Sequence, residues 1–427
     1  MNMMVSRRAM LGGAVLASGL MAARPALALQ DNGPAFAATR AFLQGFVDQR
    51  KLAGALATIG RGQAPAAVVA AGSLALGGPV RVDENSLWRV YSMTKPVTGI
   101  AAMILVDQGK LRLDQPIADI LPAYANMQVQ VTPDGSLTDL RPARTQITLR
   151  HLLTHTAGLG YSITQKGPLK DAYTKNGILP AKVTRLPLPG IDNAPIAPSL
   201  AEFADRLAKL PLVYEPGTRW SYSVSLDLLG RVIEVVAGQP FDAFLQEKLF
   251  APLGMTSSWF QVPASEVGRL TTNYAPFGGT LLPIDPAASS IFLDKPEFPF
   301  GGAGLVTSAR DYDRFLMMLA GKGALGDVRI MSEATAMLAM SNMLDDSVER
   351  KGTFVDGQGF GAGGRVSLPG NPGGPGTFGW GGAAGTIAFV NPLSGLRGAG
   401  YAQYMPPESL DFQRRLPEMM LKDLGLA

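Results

Sequence analysis

The 427-residue chain contains no cysteine. Disulfides, thiolate metal sites, a cysteine nucleophile and a cysteine-borne lipid anchor are therefore excluded, and stability must come from a packed core. Histidine is almost as scarce, with His151 and His155 the two present. They lie four apart in Leu149-Arg150-His151-Leu152-Leu153-Thr154-His155-Thr156-Ala157-Gly158-Leu159. Leu152 stands where the metalloprotease pattern His-Glu-x-x-His needs glutamate, and no Gly-x-Ser-x-Gly nucleophile elbow is present to use an imidazole base. The expected role of both is structural, at a helix end. Zinc held by the pair and a distant carboxylate is the alternative, and no metal or cofactor is expected.

Charge is sparse as well. Only 17% of residues are Asp, Glu, Lys or Arg, and no basic run is interleaved with aromatics, so nucleic acid is not an expected partner. One apolar stretch, Ala9 to Ala23, is long enough to notice but short for a bilayer span. It follows Ser6-Arg7-Arg8 and precedes Ala26-Leu27-Ala28, so residues 1–28 read as a twin-arginine export signal with its cleavage site. The expected location is periplasmic or secreted, with no stable membrane insertion once the signal is removed. Removal takes away Arg7, Arg8 and Arg24 and no acid, so the formal charge drops from +4 to +1.

The remaining chain, 47% hydrophobic over the full length, can build one large domain over residues 29–427. Phe36 to Gln49 has helical spacing, and two strand-like runs follow at Ala53 to Ile59 and Ala66 to Leu74. A middle third punctuated by Pro and Gly carries helical stretches at Ala201 to Lys209, Ser225 to Ala237 and Phe241 to Leu249. Arg310 to Leu319 and Ser332 to Met340 also read as helices, and Thr386 to Val390 and Gly398 to Tyr404 as closing strands. Gly357 to Gly385 is glycine-rich enough for a linker, but Phe360, Phe378 and Trp380 argue against a plain one. Strands at both ends with helices between them predict an α/β fold. Its sheet lobe covers about 36–115 and 290–427, with a mainly helical lobe at about 116–289 inserted.

Ser92-Met93-Thr94-Lys95 is the chain's Ser-x-x-Lys. On a helix, positions three apart share a face, so the Lys95 amine can reach the Ser92 hydroxyl. Leu87 to Tyr91 reads as an extended lead-in. Pro96, Val97, Ile100, Ala101, Met103, Ile104 and Leu105 make the following helix apolar on nearly every side. Two common residues at this spacing are weak evidence alone, and a solvated helix face is the simpler reading. Acyl transfer by serine also needs a base, and with histidine set aside that base is Lys95, a tyrosine, or both as a relay. Tyr222 stands out among ten tyrosines, in Pro216-Gly217-Thr218-Arg219-Trp220-Ser221-Tyr222-Ser223-Val224, a loop leading into a helix. Taken alone, the segment equally suits a core tyrosine.

Ser92-x-x-Lys95, the His151 to Leu159 block, Tyr222-Ser223, Gly302-Ala303-Gly304-Leu305 before Asp311-Tyr312, and Trp380-Gly381-Gly382 follow one another in a specific order. In that order the chain resembles serine hydrolases related to class C β-lactamases and penicillin-binding proteins, and among them the family VIII carboxylesterases. The resemblance runs from about Phe36 to the final helix. It implies a β-lactamase/transpeptidase-like antiparallel sheet flanked by helices, with Ser92 as acylated nucleophile, Lys95 as neighbouring base and Tyr222 sharing the proton traffic. It also implies an oxyanion hole from the backbone N–H groups of Ser92 and Ala383, with Trp380, Gly381, Gly382 and Val224 at the substrate. Glycines 381, 382 and 385 are expected to keep the strand edge clear for substrate.

Two departures from the β-lactamase pattern bear on the substrate. Tyr222-Ser223-Val224 stands in place of Tyr-x-Asn, and Trp380-Gly381-Gly382 in place of Lys-Thr-Gly. The lost cation removes a charge-assisted contact to a substrate carboxylate worth about 1.5–3 kcal/mol. The expected substrate is therefore a neutral small-molecule ester, short-chain or aryl. A class C-like β-lactamase, a D-Ala-D-Ala peptidase or amidase on the same nucleophile, and a non-catalytic wall-binding protein are the alternatives. A phenol with an ordinary pKa of ~10 needs a cation to act as base near neutrality, so Lys95 and Tyr222 are expected to share one proton, with activity rising at alkaline pH.

Overall fold

The computed structural model describes residues 35–187, 194–371 and 373–426. The export-signal reading at residues 1–28 lies outside them. Seven antiparallel strands form the central sheet: β1 (Gly54–Arg61), β2 (Ala67–Gly72), β3 (Gly359–Phe360), β4 (Arg365–Val366), β5 (Phe378–Gly382), β6 (Thr386–Val390) and β7 (Leu396–Tyr401), in the spatial order β3-β4-β5-β6-β7-β1-β2. The first strand of the chain pairs with the last, Leu56 opposite Tyr401. An early and a late segment of the described residues are thereby tied into one sheet.

Strand alternation assigns the faces. On β1, Ala55, Ala57 and Ile59 join a core with Leu43, Phe412, Leu416 and Met420, contributed by helices α1 (Ala37–Asp48) and the C-terminal Phe412–Asp423. Leu56 faces the opposite way, into the main core around helix α2 (Thr94–Asp107). Helix α2 is buried along its length from Thr94 to Leu105, as its all-round apolar sequence requires. Helix Ala309–Ala320, capped by Ser308, whose side chain accepts from Asp311 N–H, packs on β1, β6 and β7.

Helices α3 (Leu149–Leu153), α4 (Leu200–Leu207) and α5 (Ser225–Ala237) fall between the two sheet-forming segments, with α3 and α4 packed on α5 and α5 on α2. The run expected as one helix over Phe241 to Leu249 is α-helical only to Leu245; a wider turn over Gln246–Phe250 continues it. The glycine-rich stretch is no linker, since it supplies β3, β4 and β5. Cross-strand pairing rather than apolar alternation makes these strands, so the pattern did not announce them.

Candidate active site

Strand Leu87–Arg89 leads into a 3-10 turn, Tyr91–Met93, which runs straight into α2. Tyr91 takes φ 40°, a left-handed conformation costly for a bulky residue, immediately before Ser92. The turn is held on every side. Thr94 Oγ1 donates to Tyr91 O at 2.6 Å and accepts from Leu305 N–H at 3.1 Å, while the Tyr91 ring packs edge-on against Phe292.

Lys95 Nζ lies 3.2 Å from Ser92 Oγ and donates to Gly302 O at 2.7 Å. Lys95 is fully buried, which is costly for an ammonium group without compensation. Part of the compensation is the face of the Tyr222 ring, 4.5 Å from Nζ. The rest is Asp227 on α5, whose Oδ1 accepts from Gly302 N–H at 2.8 Å. One residue, Gly302, thus sits between a buried cation and a buried anion, its carbonyl towards the amine and its N–H towards the carboxylate. Burial pushes the Asp227 carboxyl up to about 6, and Lys95 opposes that rise.

Tyr222 Oη donates to Ser92 Oγ at 2.7 Å, although 130 residues separate the two in sequence. The His151 to Leu159 block is the shelf that holds it there. Ser221 N–H donates to His155 O, Gly217 N–H to Thr156 O and Val213 N–H to Gly158 O, so the Tyr222 loop hangs from this block. The His155 ring lies 5.0 Å beneath that of Tyr222, and its Nδ1 meets Ser223 Oγ at 3.0 Å. Burial, and secondarily Lys95, hold His155 well below the ordinary imidazole range, so it is neutral. Its Nε2 has no hydrogen-bond partner among the described residues, and no cluster of three metal-ligating side chains occurs among them.

Trp380 on β5 closes the other side, its Nε1 donating to Tyr222 Oη across 3.4 Å. The end of β5 lies against the Ser92 turn. A Cβ at Gly382 would come within 2.2 Å of Val90 O, and one at Gly385, where φ is 79°, within 2.2 Å of the Tyr404 ring. Both glycines thus permit close packing within the protein, a different reason from clearance for substrate. The Gly382–Gly385 turn carries Ala383 and is buttressed by Gln413 Nε2, which donates to Gly382 O and Thr386 O at 2.7 Å each. Val224 corrects an expectation. Its side chain is completely buried at the start of α5 and presents no surface to a substrate.

The structure thus brings Ser92, Lys95, Tyr222 and Trp380 together and sets Ala383 beside them. Sequence reasoning missed Asp227, Tyr161 and Phe354. Asp227 left a faint signal as a lone acid among Leu226, Leu228 and Leu229. Tyr161 is buried with its ring 5.4 Å from that of Tyr222, and Phe354 sits in a charged loop with no pattern to mark it. Volume alone does not locate this site: a cavity of about 810 Å³ is lined by Ser199, Arg231, Gln246 and Trp259 and touches none of the convergent set.

An alcohol within proton-passing reach of an amine and a phenol can form an acyl intermediate without imidazole or metal. The β-lactamase family model matches residues 39–417. The chain belongs to the β-lactamase family. This family member is 32% identical to Esterase EstB of Burkholderia gladioli over 75% of its own length and 77% of that protein. It is 30% identical to a lovastatin esterase of Penicillium rubens over 81% and 86% of the respective chains. Among solved structures, EstCE1, a hydrolase with promiscuous acyltransferase activity, superposes with a TM-score of 0.72 at 26% identity, covering 91% of this chain and 97% of that one. Simvastatin synthase from Aspergillus terreus shares the fold, with a TM-score of 0.70 at 22% identity over 92% and 97% of the two chains. The β-lactamase-family chain is accordingly a serine hydrolase with the mixed helix and antiparallel-sheet architecture of these neighbours.

Proposed function

We propose that this hydrolase is a carboxylesterase of the family VIII type, acting on short-chain or aryl esters through an acyl-enzyme on Ser92. The observation that carries the reading is the placement of Ser92 Oγ 2.7 Å from Tyr222 Oη and 3.2 Å from Lys95 Nζ, with the Trp380 indole rather than a second cation donating to the same phenol. The Ser92 proton passes to the Lys95–Tyr222 pair as Oγ bonds to the ester carbonyl carbon. The tetrahedral oxyanion is received by the N–H groups of Ser92 and Ala383. Collapse breaks the bond to the alkoxide, which takes the proton back from Tyr222 and leaves as the alcohol. Water then adds to the acyl-enzyme by the same steps in reverse and releases the acid. A neutral ester suits the Trp380 wall, and the sequence signals of export place the reaction outside the cytoplasm after removal of residues 1–28.

Intact-mass analysis after brief exposure to a p-nitrophenyl phosphonate, with peptide mapping, tests the assignment. The expected adduct is on Ser92. Ser92→Ala should lose turnover of p-nitrophenyl butyrate, and Tyr222→Phe should reduce kcat by about 10²-fold or more while KM changes little. Turnover surviving in Ser92→Ala ends the mechanism. A large kcat/KM preference for nitrocefin over the neutral ester ends the substrate assignment.

A further inference from the structure

Phe354 is 63% exposed, yet its ring stands edge-on to Tyr222 at 5.8 Å and 89° and to Trp220 at 6.4 Å and 85°. It is held there by a built loop. Trp220 N–H donates to Glu349 O at 3.0 Å and Glu349 N–H to Thr218 O at 2.9 Å, stitching the loop to the segment that carries Tyr222. Thr353 Oγ1 donates to Arg350 O at 2.6 Å, Gly352 N–H donates to Asp356 Oδ2 at 2.9 Å, and the neighbouring Val355 is fully buried as an anchor. Trp380 lies on the phenol as well, its ring 5.8 Å from that of Tyr222. A loop fastened this firmly to present a solvent-facing aromatic ring gains little from burying it. The ring is therefore available to something that arrives from solvent.

The chemistry decides which part of a substrate that is. Tyr222 returns the proton to the departing alkoxide, so the alkoxide oxygen must come within hydrogen-bond reach of Tyr222 Oη. The carbon skeleton attached to that oxygen then extends over the rings around the phenol. We propose that Phe354 and Trp380, with Trp220 beneath them, form the alcohol-side subsite and favour esters of flat aromatic alcohols. The inference rests on the serine-esterase reading above and adds that selectivity resides in the alcohol rather than the acyl chain.

Benzyl butyrate and ethyl butyrate test it, because they share an acyl group and their leaving alcohols are of similar acidity. Phe354→Ala is expected to lower kcat/KM for the benzyl ester by about fivefold to tenfold while the ethyl ester stays within about twofold. Phe354→Tyr should restore the benzyl preference. The ratio of benzyl butyrate to benzyl acetate should be the same in wild type and Phe354→Ala. Equal losses for benzyl and ethyl esters, or a change that follows the acyl group instead, would overturn the subsite and leave the esterase reading intact. Wild-type protein that cleaves neither ester would overturn both.

Discussion

At Lys95 a buried ammonium group is held by three kinds of partner: the Ser92 hydroxyl, the Gly302 carbonyl and the π face of Tyr222. The Asp227 carboxylate acts through Gly302, and the other titratable groups around Lys95 are Tyr161, Tyr222 and His155. A negative charge at this position stabilises the positive charge on the buried amine. Asp227→Asn keeps an acceptor for Gly302 N–H and removes that charge. The pH profile of kcat/KM is expected to differ from that of the wild type above about pH 6, where the wild-type carboxyl is charged. The carboxyl of the wild type is itself protonated below about 6, so the two profiles should converge there. A uniform drop in rate at every pH would show Asp227 to be merely structural.

Helix α3 and the turn after it show how an element rather than a residue builds the site. Thr148 and His151 cap the helix reciprocally: Thr148 N–H donates to His151 Nδ1 at 3.2 Å and His151 N–H to Thr148 Oγ1 at 3.3 Å. Burial, reinforced by Arg150, lowers His151 to about 4, and burial, with Lys95 second, holds His155 well below the ordinary imidazole range. A depressed imidazole favours the folded state above its unfolded pKa of ~6.5, and that advantage is lost as pH falls, at about 1.4 kcal/mol per pH unit for each group. Asp227 has the opposite sign, because its raised carboxyl takes up a proton in the folded state before the unfolded one. The His155 contribution is isolated by difference. His155→Phe keeps a ring against Trp220, Tyr222 and Phe360, and its urea-unfolding free energy should fall less steeply than that of the wild type between pH 6.5 and 5, by about 1.4 kcal/mol per unit. Identical slopes would mean that the imidazole titrates normally.

Across the whole molecule, distant segments are clamped around the Ser92 turn by one buried guanidinium. Arg89 donates to Asp285 Oδ2 at 2.6 Å, Ser290 Oγ at 3.0 Å and Thr271 O at 2.5 Å, and its own N–H donates to Gln403 Oε1. Arg89 and Asp285 are both essentially unexposed. Removing one partner leaves an uncompensated charge in the core, so Asp285→Ala should cost about 3–5 kcal/mol in chemical denaturation. A cost under about 1 kcal/mol would mean that solvent reaches the guanidinium.

Much of this architecture could be read from local pattern. Helices α1, α2 and α5, the β1–β2 hairpin and the Ser92–Lys95 spacing all come from periodicities that a few neighbouring residues encode. Ordered motifs also pointed to Tyr222 and Trp380. Other features had no local signature. The short strands β3 and β4 depend on partners, Val224 turned inward with the first turn of α5, and Gly382 is required by a carbonyl nearly 300 residues earlier.

By itself, then, the amino-acid order determined the reactive types and the nucleophile's neighbour, because helix geometry carries Lys95 to Ser92 within a single turn. Only the tertiary structure decided that Tyr222 reaches the same oxygen, that Asp227 balances the buried amine through Gly302, and that Phe354 stands edge-on to the phenol. These contacts join segments brought together by core and sheet packing, and the energy that aligns them is spread over residues far from each contact.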